Sequence, residues 1–228
     1  MQINRSSKPI YALTPFTMLD YPDKLACILW FQGCNLRCAY CYNTEIVTGI
    51  GNLDFLSVLE FLDTRVGLLD AVVLSGGEAT LCQGLENLAF LIKQKGFLIK
   101  LDTNGTRADK LKSMIQAKLL DYVALDFKAP PYKDLAITQY ADTYRCFLEA
   151  LEVLQTSQIP FEIRTTAHSE LLNPKDLEVM CEILCARGYQ GKYYLQDFIG
   201  DKKTFVPLGK SYNKKQNRAH GPIELIWR

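Results

Sequence analysis

The sequence predicts an α/β fold, a partial (β/α)6 barrel of the TIM type. Three observations carry this reading. Six apolar, β-rich segments recur at 25–33, 71–76, 98–103, 122–127, 161–166 and 192–198. Helical patterns separate them, near 54–65, 84–95, 107–118, 141–156 and 174–187, and strands alternating with helices form parallel sheets through right-handed crossovers. The chain has 228 residues, fewer than the roughly 250 of a closed eight-unit barrel, so six units imply an open one.

Each element has its own local signal. LACILWFQG and AVVLSG are nearly continuous apolar runs, the pattern of strands covered on both faces. Tyr144, Phe147, Leu148, Leu151 and Leu154 share one helical stripe within 141–156. Asn173 and Pro174 supply an N-cap and a first-turn residue for the last helix. No repeat, low-complexity tract or linker divides the chain. Residues 1–228 therefore read as one domain, with the barrel over 25–198 and a C-terminal extension over 199–228. Within 201–220 six Lys or Arg accompany one acid, and an apolar, strand-like PIELIW follows. The basic stretch 202–218 reads as a solvated tail, a cover for the barrel mouth or a partner surface. It lacks the interleaved motifs of a nucleic-acid reader.

Hydrophobic residues make up 48% and charged residues 22% of the chain, which excludes disordered and fibrous classes. The longest apolar run, Leu25 to Phe31, is far below the ~20 residues of a membrane-spanning helix. The first ten residues hold no apolar core of a secretory signal. Twenty-six basic and 25 acidic residues leave a net charge of +1, so no bulk field draws the chain to nucleic acid or membrane. A cytoplasmic protein is expected.

Eight cysteines stand at 27, 34, 38, 41, 82, 146, 181 and 185. In a chain long enough to bury its own core, a disulfide scaffold is not expected. Cys34, Cys38 and Cys41 alone are tightly clustered, at C-x3-C-x2-C spacing directly after the first strand, where barrel enzymes place their chemistry. Thiolates suit zinc or iron–sulfur centres. A structural zinc takes four protein ligands, and no other cysteine pairs with this loop. Three cysteines on a four-iron cube instead leave one iron open. Cys181 and Cys185 lie on or beside the Leu177, Met180, Leu184 stripe and read as core. Cys27, Cys82 and Cys146 have no partner signature, and His168 and His220 are solitary.

This motif, with Tyr40 just before the third cysteine, resembles that of the radical S-adenosylmethionine (SAM) superfamily. The resemblance implies one [4Fe–4S] cluster on Cys34, Cys38 and Cys41, with the fourth iron binding the methionine moiety of SAM. Ser75-Gly76-Gly77-Glu78 resembles the motif that binds the SAM amino group, with Ala79 where proline is usual. Asp102-Thr103-Asn104-Gly105 and Asp126-Phe127-Lys128 resemble the DTNG and D-x-K segments of glycyl-radical-enzyme activating proteins. There the two aspartates and the threonine help hold a monovalent cation, and the lysine contacts SAM. Arg164, in FEIRTT, and Gln196, in YYLQDF, fall in strands similar to those of the anaerobic ribonucleoside-triphosphate reductase activators. So do Thr14-Pro15-Phe16, Leu19-Asp20-Tyr21-Pro22 and the DFKAP segment. Tyr42 stands where many activators have histidine.

The likeness runs through most of 11–198. It implies an activase that cleaves SAM with one electron from a flavodoxin or ferredoxin-type donor and leaves a radical on a glycine of a partner enzyme. The alternatives are a radical SAM enzyme acting on a small molecule, such as a 7-carboxy-7-deazaguanine synthase, and a non-catalytic metal-binding module.

Overall fold

The structure is a computed structural model that describes residues 8–200, 203–213 and 215–228. The first seven residues, part of the segment read for a secretory signal, lie outside the described residues, as do Lys202 and Lys214 of the basic stretch. Among the described residues nine strands form one sheet: β1 (Ile10–Thr17), β2 (Ala26–Phe31), β3 (Ala71–Gly76), β4 (Leu98–Thr103), β5 (Tyr122–Asp126), β6 (Phe161–Ala167), β7 (Gly191–Asp197), β8 (Arg218–His220) and β9 (Ile223–Trp227). Helices α1 (Thr44–Thr48), α2 (Phe55–Asp63), α3 (Leu85–Gln94), α4 (Ala108–Gln116), α5 (Pro131–Thr138), α6 (Thr143–Thr156) and α7 (Pro174–Ala186) connect them.

The six expected strands are β2 to β7, paired in parallel and in chain order. The strand-like PIELIW is β9, which adds a seventh parallel strand beside β7. Antiparallel strands finish both edges, β1 against β2 and β8 against β9. The order β1-β2-β3-β4-β5-β6-β7-β9-β8 does not return on itself, so the barrel is open. β1 was not legible as a strand because Pro15 interrupts it, and proline is tolerated only where a ladder bond is dispensable, as on this edge. The short α1 and α5 were also missed; α5 begins on Pro131, whose fixed φ suits a first helical turn.

Strand alternation divides the interior in two. Leu29, Leu74, Ile99, Leu101, Val123, Leu125 and Ile163 face the helices and join their apolar stripes in the main core. The inner face carries a smaller cluster of Tyr21, Ala26, Ile28, Ala71 and Val73, packed by Trp30, Leu98 and Tyr122. The loop after β1 turns inward, so that the Tyr21 ring lies 5.7 Å from that of Tyr122. Above this apolar floor the same alternation places Lys100 and Asp102 on β4, Asp126 on β5 and Arg164 on β6.

The helices are fixed by local devices and by packing. The Asp54 side chain caps α2, and Asn173 and Asp176 form a reciprocal capping box on α7. On α6, Phe147 is 1% exposed and stacks on Phe127 at 4.2 Å, just beyond the end of β5. Phe147→Ala should therefore lower the unfolding free energy by about 3–5 kcal/mol, measured by urea denaturation. A loss below about 1 kcal/mol would mean that the α6–β5 contact does not hold this side of the sheet.

Candidate functional site

The thiol loop follows β2 without a break. Gly33 turns it at φ +78, a left-handed conformation that glycine adopts freely. The Gly33 amide donates to the Ile46 carbonyl at 3.0 Å. The Arg37 and Ala39 amides donate to the carbonyls of Thr138 and Ile137 at the end of α5, at 2.9 and 2.8 Å. Arg37 Nη1 closes the loop on the Cys34 and Leu36 carbonyls at 2.7 and 2.8 Å. Cys34 Sγ accepts from the Leu36 amide at 3.4 Å and from Asn104 Nδ2 at 3.7 Å. All eight cysteines are free thiols. Burial raises the cluster thiols, Cys34 to about 11 and Cys38 to about 12, with Cys41 shifted the same way.

The Gly-Gly-Glu turn after β3 is locked to that loop. Gly76 has φ +121, and the Glu78 amide donates to the Gly33 carbonyl at 2.8 Å. The Glu78 carboxylate, 1% exposed, is occupied by the chain's own donors. Its Oε1 accepts from Thr80 and Thr103 hydroxyls at 2.6 and 2.8 Å, and its Oε2 from the Asn104 amide at 2.7 Å. Glu78 thus ties the turn after β3 to the turn after β4, and burial raises its pKa. Thr103 faces Glu78, across the strand from Asp102, so it does not join the two aspartates.

The inner wall is a ladder of alternating charge. Lys100 Nζ lies 2.5 Å from Asp102 Oδ1, and Lys128 Nζ lies 2.8 Å from Asp126 Oδ2. Arg164 bridges the two acids, with Nε 2.6 Å from Asp126 and Nη1 3.3 Å from Asp102. Burial alone would raise Asp102, but Arg164 and Lys100 outweigh it and hold the carboxyl at about 2. The same opposition leaves Asp126 lowered and Lys128 and Arg164 raised, so both acids stay charged against their partners at neutral pH.

One cavity of about 260 Å³ brings these parts together. Its lining includes every residue singled out by the sequence: Cys34, Cys38, Tyr40, Cys41, Gly76, Gly77, Glu78, Asp102, Thr103, Asn104, Asp126, Lys128, Arg164 and Gln196. The Tyr40 hydroxyl is buried there with no hydrogen-bond partner. Trp30 also lines it and was missed, and Asp20, Ser75 and Thr166, named only as members of longer segments, line it as well. Ser75 and Trp30 follow Val73 and Ile28 by two positions, a period-2 signal that could have found them. Asp20 depends on the inward return of its loop, which no spacing encodes.

Residues 203–213 cross the rim beside the thiol loop. The Val206 amide donates to the Ala39 carbonyl at 3.3 Å, and Arg37 lies over the Phe205 ring at 5.7 Å. Fully buried His168 bonds the Gly209 carbonyl through Nε2 at 3.0 Å. Asn213 reaches the Ala167 carbonyl and Asp197 at 3.1 and 3.2 Å. Of the readings left open for the basic stretch, the described part matches a cover at the mouth.

Known proteins resemble the chain in sequence and in shape. A provisionally assigned glycyl-radical enzyme activating enzyme of Methanocaldococcus jannaschii is 28% identical over 184 residues, 74% of this chain and 72% of that protein. The 7-carboxy-7-deazaguanine synthase of Methanopyrus kandleri is 28% identical over 124 residues, 45% of this chain and 48% of that one. Streptococcus suis SuiB bound to S-adenosylmethionine superposes with TM-score 0.62 at 13% identity, over 82% of this chain and 45% of SuiB, a likeness of fold. The chain thus spans less than half of the latter two. The sequence profile of the radical SAM superfamily matches residues 28–179, from the middle of β2 into α7. The chain belongs to the radical SAM superfamily and is a SAM-dependent oxidoreductase.

Proposed function

We propose that the chain is a glycyl-radical-enzyme activase, of the type that serves anaerobic ribonucleoside-triphosphate reductase. The observation that carries this reading is the cavity: three thiols and a fixed charge ladder meet at the strand ends of an open barrel. The M. jannaschii relative supports the choice of an activase over a small-molecule enzyme, since its match covers the larger share of both chains.

The donor set fits a [4Fe–4S] cluster. Three soft thiols on a rigid loop already receive N–H···S bonds at Cys34, the kind of contact that tunes cluster potential. Among the described residues no three His, Cys, Asp or Glu are grouped to share one metal ion; a cube spreads its thiolates over separate irons. Cys34, Cys38 and Cys41 would hold three irons and leave the fourth for the amino and carboxylate groups of SAM. Cluster and SAM together supply, from one donated electron, a 5′-deoxyadenosyl radical that takes a hydrogen atom from the partner's glycine Cα.

This chain's residues bind and orient. The turn at Gly76 and Gly77 offers its backbone to the SAM amino group. The ladder, with one positive charge in excess, receives the carboxylate, and Lys128 is its arm nearest the thiols. Leu36, Tyr40 and Phe198 are buried around the thiol loop and exclude water. Abstraction requires the glycine within roughly 3–3.5 Å of the SAM carbon. A peptide loop therefore has to enter through the unpaired side of the barrel.

A Cβ on Gly77 would sit 1.8 Å from the Gly33 carbonyl oxygen and 3.3 Å from Cys34 Cβ. Gly77→Ala should therefore displace the thiol loop. Anaerobic reconstitution of the native chain should load about four irons, and the variant clearly fewer with its fold retained by circular dichroism. Equal loading in both would remove this contact from the account. For the activity, the reduced holoenzyme is mixed with SAM and an anaerobic ribonucleotide reductase. A glycyl doublet should appear by electron paramagnetic resonance together with 5′-deoxyadenosine, and vanish when the partner's radical-bearing glycine is alanine. Turnover of a deazaguanine precursor with no radical on the reductase would decide for the small-molecule enzyme.

A further inference from the structure

The resemblance of the DTNG and D-x-K segments brings with it a monovalent cation among Asp102, Thr103 and Asp126, and these residues do not fit it. Thr103 donates its hydroxyl to Glu78 at 2.8 Å and faces away from both aspartates. All four carboxylate oxygens of the aspartates are already taken. Asp102 Oδ1 receives Lys100, and its Oδ2 receives the Ser75 hydroxyl at 3.0 Å and Arg164. Asp126 divides its oxygens between Arg164 and Lys128.

The charge count points the same way. Within the ladder three fixed cations face two carboxylates, so neither acid is left with an unpaired charge. Lys100 and Asp102 side chains are 3% and 10% exposed, Arg164 14%. A further metal ion at such depth would shed its water beside three cations that already pair both acids, where desolvation outweighs the attraction left over. Lys100 is the residue that decides this. Two positions before Asp102 on β4, it has to face the inner wall, directly beneath the carboxylate, with apolar Leu98 below it.

We infer that Lys100 and Arg164 hold Asp102 and Asp126 in place of an alkali cation, so that this centre works without sodium or potassium. The inference rests in part on the reading of the cavity as the SAM site, and the test separates the two. Sodium NMR relaxation is measured on the anaerobically reconstituted holoenzyme, with potassium as competitor. The native protein should show no saturable, potassium-displaceable relaxation. Lys100→Met, folded by circular dichroism, should acquire it, and Lys100→Arg should not. In parallel, SAM affinity is measured by equilibrium dialysis in potassium chloride and in tetramethylammonium chloride at equal ionic strength. The native enzyme should bind equally in both, and Lys100→Met about tenfold more tightly with potassium, the effect of one charged contact. Displaceable sodium on the native protein overturns the inference, as does a folded Lys100→Met that gains none. Failure to bind SAM in either salt removes the ligand reading, and the sodium result still decides for or against the cation.

Discussion

Arg164 reaches from β6 across β5 to β4, and its guanidinium lets two carboxylates stand side by side within a buried wall. Without it the acids would repel each other in a medium that screens charge poorly. Because the bridge spans three strands, it also fixes the relative height of their ends. Lys128 takes its place from Asp126, and Ser75 orients on Asp102, so the ladder sets the wall of the cavity from β3 to β6. Alternation supplies the rest: apolar side chains below, charged ones above, on one face of the same strands.

A second constraint acts through the backbone. The glycine turn after β3 presses on Gly33 so closely that no side chain can intervene, and Glu78 carries the connection onward to Thr103 and Asn104. Asn104 in turn donates to Cys34. The thiol loop, the glycine turn and the turn after β4 therefore form a closed circuit of hydrogen bonds. The Glu78 carboxylate, which the sequence suggests as a partner for a ligand ammonium, is the internal fastening of that circuit.

Much of this was open to reading from the residues alone. Near-continuous apolar runs located β2 and β3, because strands buried on both faces leave a strong signal, and β-rich segments between helical patterns located β4 to β7. The thiol spacing and the Gly-Gly-Glu, DTNG and D-x-K segments marked strand ends, and all their residues but Gly105 and Phe127 line the cavity. Pairings across the sheet were not legible. Nothing in the string ties Arg164 to Asp102, two strands away, or turns Thr103 toward Glu78, since such contacts depend on register. Lys100 passed unnoticed because a lysine within an apolar strand gives no motif, although its parity with Asp102 placed it on the same face. Edge strands β1 and β8 escaped for a related reason: Pro15 and the basic neighbours of β8 obscure any alternation.

The crossing of residues 203–213 over the rim has a consequence for biogenesis. Ala39 in the thiol loop is bonded by Val206, and the far side of the mouth by Gly209 through His168. A ribosome delivers the thiols early and this crossing late, after every strand of the wall has emerged. During synthesis the thiols thus stand uncovered until this segment has emerged. Once the late segment closes, whatever reaches the three cysteines has to pass a narrower entrance, so access during synthesis and access after folding are different kinetic problems.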